Sequence, residues 1–142
     1  MSKSNTFEND FLKLIFNATP IANLADNAAS SPLTNLFVAL HTADPGEAGT
    51  QATSECTYTG YARVSVARTT GGWTVTGNSV SPAADITFGA CTAGSETATY
   101  ASVGVAVSGA TKILWSGNLS TFIVINAGVT PRLLTGSTIT ED

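Results

Sequence analysis

The first hydrophobic positions of the chain repeat at the spacing of an amphipathic helix. In residues 5–16 they fall at i, i+4, i+7 and i+8, and the members of this face are Phe7, Phe11, Leu14 and Ile15. A helix of about three turns is too short to be stable alone in water. We therefore expect the apolar face to dock on the body of the protein or on a neighbouring subunit.

Polar residues and a proline mark the ends of this helix. Asn5 can cap the first turn, and Glu8, three residues later, completes the pattern of a capping box. Pro20 disfavours the helical conformation of Thr19, so the helix should end before these residues. Residues 21–35 are small and polar without a firm period, which predicts a partly helical connector that ends in a loop.

From residue 36 the pattern changes to the alternation of β-strands. The first such segment, LFVALHT, has alternate side chains that suit a strand covered on both faces except at its end. Further segments of strand length follow at regular spacing, separated by Gly, Asn and Ser: residues 61–69, 70–80, 85–91, 100–108, 112–120, 121–128 and 132–140. The segment 70–80 opens with a Gly-Gly turn, and its strand follows that turn. This pattern predicts a mainly β fold, an antiparallel β-sandwich or jelly-roll-like barrel of about eight strands with a short N-terminal α-helix. Residues 1–35 then form the helix and connector, and residues 36–142 form the β-sandwich domain.

The composition adds an unusual surface to this fold. Only 11% of the 142 residues are charged, against about 25% in ordinary soluble domains. Between residues 97 and 131 the only charged side chain is Lys112. Edge strands of monomeric proteins normally carry charge, which prevents pairing with other chains. We therefore expect part of this surface, including the outward positions Thr99 and Thr121, to be covered in an assembly with other copies or other proteins.

Charge and hydropathy also argue against two classes of partner. The chain has a net charge of −4 and only six Lys and Arg residues, which are scattered, whereas a sequence-independent grip on nucleic acid needs clustered basic residues. No apolar run approaches the roughly 18 residues that span a bilayer. The N-terminus MSKSNTFEND lacks the apolar core of a signal peptide. We expect a product of the cytoplasm that binds neither nucleic acid nor membrane.

The stretch LFVALHTADPGEAG contains the only histidine of the chain. His41 with Asp44 or Glu47 could orient an imidazole as a general base. However, a hydrolytic triad needs a nucleophile in a defined context, and the chain has no G-x-S-x-G elbow. Pro and Gly at positions 45 and 46 are typical of a turn. The sequence therefore favours a strand end followed by an exposed loop, and we expect no catalytic residues.

Two groups of residues are candidates for metal binding. Asp44, Glu47 and Glu55 supply the oxygen ligands that calcium prefers, but no EF-hand-like loop is present, so a solvated loop is favoured. Cys56 and Cys91 lack the companion residues of a zinc site. We expect them to be free thiols or one incidental disulfide, and we expect no metal and no cofactor.

Three large side chains have a structural and a functional interpretation. Arg63 can pair with an acid of the preceding loop or form an intersubunit salt bridge. Trp73 and Trp115 could stack on a sugar, but they lie on separate strands, and large aromatic residues are more often part of the core.

Several of these segments occur together in a known pattern. An N-terminal helix leads to the strand and turn at residues 36–46, an acidic loop follows, and then come GYAR, FG, L-W-x-G-x-L and NAG at residues 60–63, 88–89, 114–119 and 126–128. The chain thereby resembles a family of small virion proteins of tailed bacteriophages, of the tail-fibre-like or head-decoration type. The chain departs from the pattern in Cys56 and in its Ala-, Ser- and Thr-rich residues 90–111.

The resemblance implies a structural protein of the virion without catalytic activity, made in the host cytoplasm. Its expected function is capsid decoration on the outer surface of the major capsid lattice, because the chain shows no internal repeat of a long fibre shaft. The alternative is a tail or fibre module that binds a host surface receptor. Expected partners are the major capsid protein or other virion proteins and further copies of the chain. The candidate interface residues are Phe7, Phe11, Leu14, Ile15, Asp44, Glu47, Thr99 and Thr121.

Overall fold

A computed structural model of the chain describes residues 3–21, 24–25 and 32–141. Within these residues it contains one helix and nine strands: α1 Asn5–Asn17, β1 Asn35–His41, β2 Val64–Ala67, β3 Trp73–Thr76, β4 Ser79–Pro82, β5 Ile86–Thr87, β6 Ser95–Gly104, β7 Ile113–Asn126, β8 Arg132–Leu133 and β9 Ile139–Thr140. Most of the expected connector, namely residues 22–23 and 26–31, lies outside the described residues. The mainly β fold with a short N-terminal helix is confirmed.

The strands form three open antiparallel sheets within the described residues, and none of these sheets closes into the jelly-roll-like barrel that the sequence analysis left open. Their orders are β2–β1–β6–β7, β3–β4–β9 and β5–β8. By their contacts the residues group into two units. The first comprises Met1–Asn35, Val66–Ile86 and Leu133–Asp142, and the second comprises Leu36–Ser65 and Thr87–Arg132. The N-terminal segment is thus grouped with two segments from the strand region.

Helix α1 begins one residue earlier than the predicted cap implies. The backbone of Ser4 is extended, and its hydroxyl accepts a hydrogen bond from the N–H of Phe7 at 3.4 Å. Asn5 is already helical, so its prediction as the cap was wrong by one position. The helix ends at Asn17, followed by Ala18 in the left-handed conformation with φ 53°. This end agrees with the expected stop before Pro20.

The face of α1 that enters the core of the first unit differs from the predicted stripe. Leu12 and Phe16 are fully buried, and the ring of Phe16 meets Trp73 edge to face with centroids 4.8 Å apart. Phe7 is 38% exposed. The other three members of the predicted face, Phe11, Leu14 and Ile15, are half-buried. The side chains that enter the core are therefore Leu12 and Phe16, which are four residues apart and lie on one row of the helix surface. The four predicted residues lie beside this row.

Arg68 closes the C-terminal end of α1 within the first unit. Its guanidinium donates to the carbonyl oxygens of Leu14 at 2.8 Å and Ile15 at 2.6 Å, and also to that of Leu33 at 2.6 Å. The last carbonyls of a helix have no partner inside the helix and carry its partial negative charge. The last turn of α1 has no basic residue, so Arg68 supplies this charge from a distant part of the chain.

A hairpin completes the first unit. Strands β3 and β4 pair from Trp73 opposite Pro82 to Thr76 opposite Ser79, with only two residues in the turn. The first turn residue, Gly77, has φ +60°, which two-residue hairpins of the II′ type require. The sequence analysis predicted a Gly-Gly turn followed by one strand within residues 70–80, and the turn at Gly77 and Asn78 divides that strand.

The second unit is built on β1, β6 and β7, which pair antiparallel in that order. Its core contains Val38, Leu40, Tyr58, Phe88, Ala98, Val103 and Ile125. The segments expected as two strands, 112–120 and 121–128, are one continuous strand of 14 residues. The pairing with β6 shifts between Ala98, opposite Ile123, and Tyr100, opposite Asn118. Residues 119–122 of β7 therefore stand against the single residue Thr99 of β6, and the predicted boundary between residues 120 and 121 falls inside this irregularity.

Candidate functional site

His41 lies at the end of β1 and is completely buried. Its Nδ1 is 2.9 Å from the carbonyl oxygen of Thr53, and its Nε2 is 2.7 Å from the hydroxyl of Ser102. A carbonyl oxygen only accepts, so Nδ1 carries the proton in the neutral ring, and Nε2 accepts from the Ser102 hydroxyl. Both ring nitrogens are therefore satisfied inside the second unit.

The strand register places His41 beside Ser102. His41 pairs with Tyr100, and Ala39 pairs with Ser102, in the antiparallel ladder of β1 and β6. His41 and Ser102 are therefore diagonal neighbours on one face of the sheet, within reach of a long side chain. The sequence analysis did not identify Ser102, because the partner of a strand residue depends on a register that the local sequence does not show.

Gln51 covers the same face of the sheet. Its side chain is completely buried, and its amide nitrogen donates to the carbonyl oxygen of Phe37 at 2.9 Å and to the hydroxyl of Ser102 at 3.4 Å. A Cβ atom built on Gly104 would overlap the Gln51 amide. A glycine at this position of β6 therefore makes room for the amide above the sheet.

Arg63 holds the loops around this cluster. Its Nε and Nη2 donate to the two carboxylate oxygens of Glu55, each at 2.7 Å. The remaining N–H groups reach the carbonyl oxygens of Ala106 at 3.0 Å and Gly109 at 2.8 Å, and the hydroxyl of Thr111 at 3.1 Å. The predicted pairing of Arg63 with an acid of the preceding loop is confirmed. One guanidinium thereby connects the acidic loop to the loop between β6 and β7.

Tyr61 adds a further hydrogen bond to the same carboxylate. Its hydroxyl donates to Glu55 at 3.0 Å and accepts from the N–H of Leu40 at 3.1 Å. Burial raises the pKa of Tyr61 well above its ordinary value, and the charge of Glu55 acts in the same direction. The hydroxyl therefore stays protonated and acts as a fixed donor. We call His41, Gln51, Glu55, Tyr61, Arg63, Ser102 and Thr111 the buried polar cluster.

The buried polar cluster is a closed structural network. Burial lowers the pKa of His41, so the imidazole is neutral near pH 7. The contact between His41 and Ser102 has the residue types of a nucleophile and its base, but the two residues are only 0% and 3% exposed. A general base must be within reach of the proton that it removes from a substrate. The described residues leave no such access to His41.

The acids that the sequence analysis placed beside His41 have other roles. A carboxylate oxygen of Asp44 accepts the N–H of Gly46 at 2.8 Å, and Gly46 has φ +70°. This geometry confirms the predicted turn. Asp44 and Glu47 are exposed, and the polar contacts of the His41 ring are with Thr53 and Ser102. The hypothesis that Asp44 or Glu47 orients His41 was therefore wrong.

The structure also places the other candidates for chemistry, namely the metal-ligating residues, the cysteines and the tryptophans. No group of three metal-ligating side chains occurs among the described residues. Cys56 and Cys91 are free and buried, and burial raises the pKa of Cys56 to about 12. Trp73 is a core residue with 2% exposure, and Trp115 is half-buried.

No helix in the described part of the chain is long and apolar enough to cross a membrane.

The outer strand β7 presents an uncharged, exposed surface of the second unit. All its residues from 116 to 122 except Leu119 are exposed. Phe122 and Val124 are 52% and 60% exposed. Of the two candidate interface threonines, Thr121 is exposed, whereas Thr99 is half-buried and donates its hydroxyl proton to the carbonyl oxygen of Thr42 at 2.9 Å. Whether either residue contacts a partner stays a prediction.

A comparison of the sequence with known protein families identifies the family of this chain. Residues 2–141 match the family described as podophage GP4 fiber I protein gp80. The chain belongs to this family. It is therefore a small structural protein of a tailed-phage virion, of the fibre-like type, as the motifs beginning at residue 36 imply. A comparison with curated proteins gives no match.

Proposed function

We propose that this protein is a non-catalytic module of the fibre apparatus on a podophage tail. The family match over residues 2–141 carries this proposal, because it includes both units of the fold. The tail location replaces capsid decoration as the preferred function, since the description of the matched family names a fibre. The match leaves the position on the particle open, and we therefore make this position the subject of the experiment below.

The buried polar cluster supports a role in rigidity. The guanidinium of Arg63 contacts Glu55 and the carbonyl oxygens of Ala106 and Gly109, so it fixes two loops at one end of the sheet. Loops held in a single conformation lose less entropy when they bind. In this proposal the exposed turn at Asp44 and Glu47 and the exposed loop around Val107 are presented as fixed surfaces to a virion protein or a host receptor.

Capsid decoration stays the second candidate. It is supported by the absence of an internal repeat within these 142 residues, since a fibre shaft is usually repetitive. On the capsid, the partner would be the major capsid protein. On the tail, it would be another tail protein or a host receptor. Neither location requires nucleic acid or membrane, which fits a chain with six basic residues and a net charge of −4.

The location is tested by labelling intact virions. Phage carrying an epitope tag after Asp142 are imaged by immunogold electron microscopy, with untagged phage as the control for background. We expect gold at the tail. Gold distributed over the head would contradict the fibre proposal and support decoration. Label at neither site, with the protein absent from purified virions by mass spectrometry, would contradict both.

The absence of catalysis is tested on the purified protein. We expect no release of sugar or peptide from host envelope preparations, and no difference between the wild type and the variants H41A and S102A. Hydrolysis by the wild type that is lost in both variants would contradict a purely structural function.

A further inference from the structure

The side-chain amide of Gln51 is held in one orientation inside the buried polar cluster. Its nitrogen donates to the carbonyl oxygen of Phe37 at 2.9 Å. Its oxygen accepts from Nη1 of Arg63 at 3.3 Å and from the hydroxyl of Thr111 at 3.4 Å. A carbonyl oxygen only accepts and a guanidinium only donates, so these partners fix which end of the side-chain amide carries the oxygen. Two donors therefore point at this oxygen, and one acceptor holds the nitrogen.

A nucleophile and its base lie beside this side-chain amide. The hydroxyl of Ser102 is 2.7 Å from Nε2 of His41 and 3.4 Å from the side-chain nitrogen of Gln51. Because Nδ1 of His41 donates to the carbonyl oxygen of Thr53, the lone pair of Nε2 faces the hydroxyl and can accept its proton. The arrangement is that of a serine activated by a neighbouring imidazole.

The carbonyl carbon of Gln51 lies on the same face of β6 as this nucleophile. A Cβ atom built on Gly104 would be 2.1 Å from Cδ of Gln51, so the carbon lies directly against the strand. Ser102 and Gly104 pair with Ala39 and Phe37 of β1, and residues two apart in a strand point to one face. The nucleophile, the base and the carbonyl carbon therefore meet above one short segment of β6.

We propose that the protein joins Ser102 to Gln51 through an intramolecular ester. Oγ of Ser102 attacks Cδ of Gln51 while Nε2 of His41 takes the hydroxyl proton. The bond from Cδ to the side-chain nitrogen then breaks, His41 returns the proton to this nitrogen, and ammonia leaves. One primary amide and one alcohol thus give one ester and one ammonia, and the reaction needs no oxidant, reductant or further reactant.

Two further members of the cluster stabilise the charge that develops in this reaction. The attack places negative charge on the side-chain oxygen of Gln51, to which Arg63 and Thr111 already donate. The Thr111 hydroxyl also accepts from Nη1 of Arg63 at 3.1 Å. We therefore assign Thr111 as a donor to the oxygen and Ser102, which has the base beside it, as the nucleophile.

Burial favours the ester once it has formed. Gln51 and Ser102 are 0% and 3% exposed, and exclusion of water prevents hydrolysis of a reactive acyl group. The same burial keeps outside substrates from His41, but it does not hinder a reaction between neighbouring side chains. Each chain reacts once and turns over no other molecule. The inference is therefore compatible with the proposed function and does not depend on where the protein lies on the particle.

The observed contact predicts a slow reaction. The Ser102 oxygen accepts from the side-chain N–H of Gln51, which places it near the plane of this amide, whereas a nucleophile attacks a carbonyl carbon from above that plane. A rotation about the Cγ–Cδ bond must first bring the face of the carbon to within about 3–3.5 Å of the oxygen. We expect freshly made chains to be unmodified and the ester to accumulate with time.

The proposal is tested by mass spectrometry of the purified full chain during one week at pH 7.5. We expect the intact mass to fall by about 17 Da, the mass of the released ammonia. Cleavage after Lys and Arg places Gln51 in the peptide 14–63 and Ser102 in the peptide 69–112. These peptides should be linked under reducing conditions, which exclude a disulfide between Cys56 and Cys91. Hydroxylamine, which cleaves esters, should separate them.

Four variants assign the roles. S102A and Q51E should keep their full mass, because the first lacks the nucleophile and the second replaces the side-chain amide with a carboxylate. H41Q should slow the mass loss at least about a hundredfold, since a general base contributes a factor of this order. The matched control is S116A, because Ser116 pairs with Ser102 across the strands and is exposed. It should react at the rate of the wild type.

The result on the wild type does not depend on the folding of any variant. An unchanged mass after one week, a mass loss without linked peptides, or a link that hydroxylamine leaves intact would each contradict the ester. Fragmentation of the linked peptides that places the bond at Thr111, or a link that persists in S102A, would contradict the assignment of Ser102. The tail label is a separate result: a head location with the ester contradicts only the fibre function.

Discussion

The guanidinium of Arg63 contacts both carboxylate oxygens of Glu55, eight residues earlier in the chain, at 2.7 Å each. The Arg63 side chain is 2% exposed and that of Glu55 is 16% exposed. A buried ion pair adds little relative to well-packed apolar residues, but removal of one partner leaves a costly unpaired charge. The pair therefore makes the fold of the second unit sensitive to either residue.

Replacement of Arg63 by methionine should lower the free energy of unfolding by about 3–5 kcal/mol, because Glu55 then stays buried without its partner. Urea denaturation followed by circular dichroism measures this loss. R132M is the control, since Arg132 is exposed, and it should change stability by less than about 0.5 kcal/mol. In the double variant E55M/R63M the loss should be smaller than the sum of the two single losses. Additive losses would show that the pair does not act as a unit.

Stability should fall as the pH drops below about 6.5, the ordinary pKa of histidine. Burial lowers the pKa of His41 in the folded protein, so below pH 6.5 the unfolded chain binds a proton that the folded chain does not. The contribution of neutral His41 is thus fully present above this pH and is lost toward the folded pKa, with a slope of at most about 1.4 kcal/mol per pH unit.

Chemical denaturation between pH 7.5 and 5 measures this dependence. His41 is the only histidine, so the variant H41Q is a direct control and should show a flatter profile over this range. An equal slope in both proteins would assign the effect to other groups.

Two phenylalanines of α1 provide a matched pair. Phe16 is fully buried against Trp73, and Phe7 is 38% exposed. F16A should lower the free energy of unfolding by about 3–5 kcal/mol, the usual cost of a large cavity, whereas F7A should lower it by less than about 1 kcal/mol. Urea denaturation followed by tryptophan fluorescence reports both values. A larger loss in F7A than in F16A would mean that the predicted face, and not the Leu12 and Phe16 row, anchors the helix.

Substitutions of Gly104 and Gln51 should have coupled effects on the free energy of unfolding. G104A puts a methyl group where the Gln51 amide lies, and the resulting displacement should cost about 1–3 kcal/mol. The double variant G104A/Q51A removes the overlapping amide and should be more stable than the sum of the two single effects predicts. G117A is the control, because a Cβ at Gly117 meets no neighbouring atom. Independent effects of G104A and Q51A would contradict the close packing.

The sequence by itself determined the local elements and the family. The apolar spacing from Phe7 to Ile15 predicted a helix that the structure places at Asn5–Asn17, because helical periodicity depends only on near neighbours. The alternation from Leu36 to His41 predicted β1 for the same reason. The motifs LFVALHTADPG and GYAR pointed to the phage virion family that the match over residues 2–141 establishes.

Tertiary structure alone decided which residues meet. Gln51, Ser102 and Thr111 lie 12 to 61 residues from the side chains of His41 and Arg63 that they contact, and no local pattern marks them. Phe16 of the buried row of α1 packs on Trp73, which is 57 residues away in the sequence. Strand β7 continues through the predicted boundary between residues 120 and 121 because its pairing with β6 shifts register there. Local sequence sets backbone preference and the direction of alternate side chains. The strand register and the shape of the opposing surface determine which partner each side chain finds, because both arise from contacts between distant segments.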